Sequence, residues 1–376
     1  MASGTHAKRI SGKSKVIALS ASVLLVLLAL LVFLYRDKLP ALHPGEADGS
    51  LRETEPFTFE TGSRQCFDTA ADKLVIASST GLQILSGKGE TLQRQVYSMT
   101  NPAIASTSEG ICAFYDIGGK TLRLYKNDKS GECLEYDRSY PIISVSVNSA
   151  GYLTVTEQET GYKGAVTVFD ADGNAIYKWY SGSGYAVDAA LSPDCSTLAV
   201  LCLESGGSVI HLFKLDSEQE FYSASLPNEL AFKLSFFKSG EFCTLSQDSL
   251  HFFKANGEER DSHSFEGDYL AGFELSDELC AVVLSKYVSG SDITLVSLAS
   301  DGDVLGKAAL NEEPVSLHGQ KQRLLVLCSD GATVYSRDLR TLEEGRVVAG
   351  YKSAVLTSKG DVFLLSSHYA EECSLK

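Results

Sequence analysis

The chain has 376 residues, 44% of them hydrophobic and 22% charged, with a formal net charge of −15. So much apolar content excludes a disordered chain, and the acidic balance excludes a nucleic-acid-binding surface, which would need clustered positive charge.

From the N-terminus, residues 1–15 form a basic tip that carries Lys8, Arg9, Lys13 and Lys15 and no acid. Residues 16–35, VIALSASVLLVLLALLVFLY, follow without a charge. At about 1.5 Å of helical rise each they span roughly the 30 Å hydrocarbon core of a bilayer. Their leucine, valine, isoleucine and phenylalanine side chains sum to about −6 kcal/mol of insertion energy, opposed weakly by Ser20 and Ser22. A cleaved signal peptide would have a shorter apolar run of about 7–15 residues and a small-x-small site, which Phe33-Leu34-Tyr35-Arg36 does not offer. A buried core helix would show a polar face, and this segment has none. The expectation is an uncleaved transmembrane helix. The basic residues before it place the N-terminus in the cytoplasm, so the bulk of the chain faces the extracytoplasmic side of the cell membrane.

Residues 36–56 contain Pro40, Pro44, Gly45, Gly49 and Pro56 among scattered charges and read as a flexible linker. Residues 1–38 hold six basic residues and one acidic one; removing that +5 from −15 leaves −20 on the exported part. Such a charge serves solubility and repels anionic headgroups. The remaining 57–376 are expected to form one β-domain.

In this region apolar runs end at Leu85, Tyr125, Phe169, Phe213, Phe253, Leu298 and Tyr335, 37 to 45 residues apart. That is about the 40–45 residue period of a four-stranded propeller blade. Within the third period, IISVSVN (142–148), YLTVTE (152–157), GAVTVFD (164–170) and AIYKWY (175–180) are four short β-branched and aromatic runs. Asp172-Gly173, Asn256-Gly257 and Asp301-Gly302 recur after the aligned run, where a tight hairpin needs positive φ. The fold class expected is an all-β propeller, with seven blades favoured and eight the alternative. After the seventh aligned run two more strands remain, Ser353–Thr357 and Asp361–Ser366. They need a partner, and Phe57-Thr58-Phe59-Glu60 is the segment that closes the ring edge.

The hairpin Leu191-Ser192-Pro193-Asp194-Cys195-Ser196-Thr197-Leu198-Ala199-Val200 resembles the SPDG-x-x-LAV element of WD40-like blades, with Cys195 where glycine is usual. Val147 to Leu153 is a looser copy. The His-Trp-Asp signatures of true WD40 repeats are missing, as is the tryptophan docking of quinoprotein blades. Taken with the basic tip, the apolar span and the linker, the chain resembles an uncharacterised family of membrane-anchored WD40-like propeller proteins of Gram-positive bacteria. The resemblance implies the fold and brings no activity and no site residues.

Chemistry-bearing residues are sparse in pattern. The nine cysteines include no C-x-x-C, and Cys112, Cys202, Cys243, Cys280 and Cys328 recur in or beside the strand before the aligned one, which reads as buried free thiols. His211 and His251 share one repeated position two residues before the aligned aromatic, and no histidine spacing fits a metal site. The acid pairs Asp170/Asp172, Asp301/Asp303 and Glu312/Glu313 lie in turns, where aspartate bonds the local backbone. Gly118-Gly119-Lys120-Thr121 joins two strands and reads as a hairpin, since a phosphate loop needs a following helix. No catalytic, cofactor or metal residue is assigned, and no cofactor is expected. Among 17 tyrosines, Tyr177, Tyr180, Tyr185, Tyr269, Tyr287 and Tyr351 fall near inter-strand connections, where such side chains anchor partners. The function expected is non-enzymatic binding or scaffolding of a protein or envelope component on one propeller face. The alternative is an envelope hydrolase or lyase with its site at the central channel, where Asp188 and Glu274 would converge.

Overall fold

The computed structural model describes residues 52–53, 55–107, 110–127, 133–347 and 350–374. The predicted span 16–35, with the tip before it and most of the linker after it, lies outside the described residues. Among those described, no helix is long and apolar enough to cross a membrane.

Eight antiparallel sheets are arranged in a ring as blades 1 (65–96), 2 (102–135), 3 (142–180), 4 (185–227), 5 (233–264), 6 (269–310), 7 (316–346) and 8 (353–374). In each, the first strand in sequence is the inner one, and inner strands of neighbouring blades lie side by side. Blade 3 runs Ile142–Val147, Leu153–Glu157, Ala165–Phe169 and Ala175–Tyr180, the four strands expected from the sequence. Its two middle strands are buried throughout, while the outer one alternates exposed and half-buried. The cause is geometric. Middle strands are covered on both faces by adjacent blades and read as continuous apolar runs, whereas an outer strand keeps one face in water.

The apolar residues fall into eight clusters, one at each blade junction. The cluster of Leu74, Ile76 and Leu85 with Val355, Phe363 and Leu365 joins blades 1 and 8 and closes the ring.

The ring therefore has eight blades, not seven. The eighth has its own third strand, Tyr369–Ser374, flanked by Ser353–Leu356 and Val362–Leu365. This strand escapes an alignment of apolar runs because its sequence, YAEECS, contains Glu371 and Glu372. Glu371 is buried, and the Tyr351 hydroxyl donates to it. Phe57–Thr58 pairs with Tyr369 and Ala370 as the outer strand of this blade, stitching both ends of the domain. The pairing starts even earlier: Arg52–Glu53, inside the stretch expected as linker, runs along Cys373 and Ser374.

Gly173, Gly257 and Gly302 adopt φ of 91°, 93° and 95°, as the repeated turns require. Cys195, at the position where glycine is usual, takes a φ of 58°. Cys112, Cys202, Cys243 and Cys280 are free thiols buried in second strands, and Cys328, also free, follows one. Burial pushes the thiols of Cys66 and Cys202 up to about 12, which leaves them protonated and weakly nucleophilic. Gly118 and Gly119 form a hairpin between Ile111–Asp116 and Leu122–Lys126.

Candidate functional sites: the central channel and the loop rim

Two regions of the ring carry groups able to meet a ligand. The first is the channel. Near the turns that join inner to second strands it holds a cavity of about 370 Å³, lined by polar residues of several blades, among them Asp68, Ser146, Lys233, Ser235, Glu274 and His318. This volume lies at the low end of the roughly 300–1,000 Å³ typical of small-ligand pockets.

His318, on the inner strand Ser316–Gln320, is buried and bonded on both ring nitrogens. Its Nδ1 accepts the Leu356 N–H of blade 8 at 3.0 Å, and its Nε2 lies 3.1 Å from Asp68 Oδ1 of blade 1. Burial alone would push the imidazole down, but the hydrogen bond and charge of Asp68, with Glu274 adding, leave it above its ordinary value. The same seam is tied by Thr69 Oγ1 donating to Leu356 O at 2.9 Å and Gln320 Nε2 donating to Thr69 Oγ1 at 3.3 Å.

Glu274 stands beside this group on the inner strand Tyr269–Leu275. Burial, reinforced by the charge of Asp68 and opposed by His318 and the Gly319 N–H, pushes its carboxyl up to about 7. It packs so close to Gly319 that a Cβ there would lie 2.8 Å from Glu274 Cγ.

Asp188 does not converge with Glu274 in one constellation. It sits 1% exposed at the junction of blades 4 and 5, where its Oδ2 accepts the Leu234 N–H and an ammonium hydrogen of Lys233, both at 3.0 Å. Burial would lower the Lys233 pKa, and Asp188 more than offsets it. Asp188 and His318 thus play the same part: each is an inner-strand side chain accepting an N–H from the next blade's inner strand. Glu274 is the channel carboxyl that changes charge near neutrality. Among the described residues, no serine, threonine or cysteine side chain is hydrogen-bonded to it or to His318, and no group of His, Cys, Asp and Glu is placed to hold a metal.

The two repeated histidines are kept apart. His211 Nδ1 is 2.6 Å from Glu220 Oε2, its ring 5.7 Å from that of Trp179. His251 lies between Glu259, 2.6 Å from Nδ1, and Glu229, 2.9 Å from Nε2, with Ser249 Oγ 3.1 Å away. The order Ser249, His251, Glu259 has the connectivity of a nucleophilic triad, yet Glu229 also accepts the buried Ser249 hydroxyl and occupies the base nitrogen. The group instead fastens the connection 228–232 to blade 5. The turn acids behave as the turn reading implies: Asp170 Oδ1 accepts the backbone N–H groups of Asp172 and Asn174 at 3.0 and 2.9 Å.

The second region is the opposite rim, formed by connections from outer strands to the next inner strands and by turns between second and third strands. On blades 4 to 7 it exposes Tyr185, Phe232, Tyr269, Tyr287 and Val315, together with Leu230 and Val288, which are 64% and 80% exposed. The rings of Phe232 and Phe273 meet at 5.8 Å across blades 5 and 6. On blade 3, Tyr162 and Tyr180 lie 4.5 Å apart, and Lys163 Nζ sits 4.5 Å from the Tyr185 ring centroid. Of the tyrosines singled out from the sequence, Tyr180, Tyr185, Tyr269 and Tyr287 come to this rim. Tyr177 packs near Phe213 and donates to Ser217 O at 3.0 Å, and Tyr351 is half-buried against Glu371. The apolar companions Leu230, Phe232, Val288 and Val315 were not legible as a site, since they come from three separate loops.

The sequence model of a family of unknown function (DUF5711) matches residues 53–359. No curated protein matches the chain. Among solved structures, the C-terminal WD40 domain of Sif2 superposes with a TM-score of 0.60 at 11% identity, covering 87% of this chain and 98% of that one. At that identity the likeness is one of fold.

Proposed function

The chain belongs to the family of unknown function DUF5711, and we propose that it is a membrane-anchored extracytoplasmic β-propeller that binds or scaffolds a protein partner at the cell surface without catalysing a reaction. Residues 16–35 supply the lipid anchor in this reading, and the basic tip keeps the N-terminus cytoplasmic. The observation that carries the binding function is the rim of blades 4 to 7, where apolar and aromatic side chains stand exposed on rigid loops. Exposed aromatic and apolar side chains gathered on one face are the groups that anchor protein partners. The channel argues less for catalysis, because Asp188 Oδ2 and both ring nitrogens of His318 are engaged with other blades.

The test is crosslinking of the full chain in its native cells, affinity purification and mass spectrometry, with residues 1–56 alone as control. Proteins recovered only with the propeller present support the reading; recovery of the same set with the control overturns it. Protease accessibility on intact cells checks the topology, with digestion of residues beyond 56 as the expected result. One observation favours a second reading, an envelope hydrolase or lyase: the channel cavity contains Glu274 with its carboxyl near neutrality. Turnover of an envelope polymer that disappears in Glu274→Gln would establish it.

A further inference from the structure

The loops of the rim on blades 4 to 7 are acidic, and the exposed cations near them, Lys163 and Lys286, already lie over the rings of Tyr185 and Tyr287. The rim's connections 228–232, 265–268 and 311–315 and its turns 246–248, 288–290 and 328–330 contain seven carboxylates and no lysine, arginine or histidine. Apart from Glu229, which is held by His251, these acids have no ion-pair partner among the described residues. Asp248, Glu266, Glu313 and Asp330 are exposed. On the opposite face three turn acids are held in ion pairs: Asp72 with Lys359 at 2.6 Å, Asp338 with Arg340 at 2.7 Å and Glu258 with Lys254 at 3.0 Å.

The acidic loops are also fixed in place. Buried Phe265 roots the connection 265–268, its N–H donating to Asp248 O at 2.9 Å, and buried Ala231 roots 228–232, its N–H donating to Ser208 Oγ at 2.8 Å. A preformed surface spends little free energy on ordering when a partner arrives.

We propose that this rim docks a cationic amphipathic segment of a protein, its apolar side chains seated among Leu230, Phe232, Tyr269 and Val288 and its lysines or arginines against Glu266, Asp268 and Glu313. The inference rests on the protein-binding reading above and adds the chemistry of the partner. Apolar side chains need a dry contact, and the unpaired carboxylates around them steer positive charge toward it and reject acidic chains and anionic lipid. The exposed Tyr269 ring favours the same ligand, because a cation over an aromatic face is attracted to it.

The test measures binding of a fluorescein-labelled peptide of alternating leucine and lysine blocks to the full chain in detergent micelles, beside a leucine–glutamate peptide and a serine–lysine peptide. The triple variant Glu266→Lys, Asp268→Lys, Glu313→Lys is compared with Asp172→Lys, Asp216→Lys, Asp303→Lys, which shifts net charge equally on the opposite face. The rim variant is expected to weaken the leucine–lysine peptide by about tenfold or more, and the control variant by less than about threefold. Equal losses in the two variants, or equal affinity for the serine–lysine peptide, would overturn the inference. Unchanged thermal unfolding of both variants verifies that they fold. In cells, a partner lost with Phe232→Ser but kept by the charge variant would leave protein binding standing and remove this inference; a partner kept by both would remove the rim reading itself.

Discussion

The channel and the rim both contain acids and put them to opposite uses. Around the channel, Asp68, Asp188 and His318 are spent on other blades: each accepts or donates across a junction, and the ring depends on them. On the rim, Asp248, Glu266, Glu313 and Asp330 face water with no ion-pair partner among the described residues, on the same face as exposed apolar side chains. A polar group inside a propeller is thus weak evidence of a site until its partners are counted, and an unpartnered one outside is stronger.

The largest effect that would break this contrast comes from the channel. Asp188→Ala removes the acceptor of the Leu234 N–H and the counter-charge of Lys233, and about 3 kcal/mol of stability should be lost, seen as a lower urea midpoint. A loss within error would show that the junction does not depend on it. Next comes pH. The Glu274 carboxyl titrates near 7 when folded, above its ordinary 4.5, so the unfolded chain releases this proton first and stability falls as pH rises from about 4.5 through 7. With channel water reaching the group, wild type should lose about 2 kcal/mol between pH 5 and pH 8 relative to Glu274→Gln. Parallel urea midpoints across that range would contradict the assignment. Rim substitutions should be nearly silent in stability: Tyr185→Ser, Phe232→Ser and Tyr269→Ser are each expected within about 0.5 kcal/mol of wild type. The smallest effect concerns Cys195, a non-glycine residue at φ 58°, where Cys195→Gly should raise stability by about 0.5 kcal/mol in the same measurement.

Blade architecture was legible because middle strands are buried on both faces and leave apolar runs at a regular period. The eighth blade was hidden for the converse reason: its third strand buries Glu371 against Tyr351, a contact no local pattern announces. The channel groups were hidden by distance along the chain, since Asp68 and His318 lie 250 residues apart and meet only because the ring closes. Asp188 and Glu274 both lie on inner strands but belong to different junctions and do not converge. Four of the six tyrosines marked in the sequence reach one rim, since strand ends and connections alternate between the two faces of a propeller. The acidity of that rim becomes visible only when loops from four blades are read together.

The central claim is that the rim, and not the channel, is the working surface. The most direct measurement is affinity capture from crosslinked native cells with wild type, the rim variant Tyr185→Ser, Phe232→Ser, Tyr269→Ser, and the channel variant Glu274→Gln, all as full chains at matched abundance. A partner retained by the channel variant and lost from the rim variant is the predicted result. A partner lost from Glu274→Gln and retained by the rim variant would contradict the account and move the function into the channel.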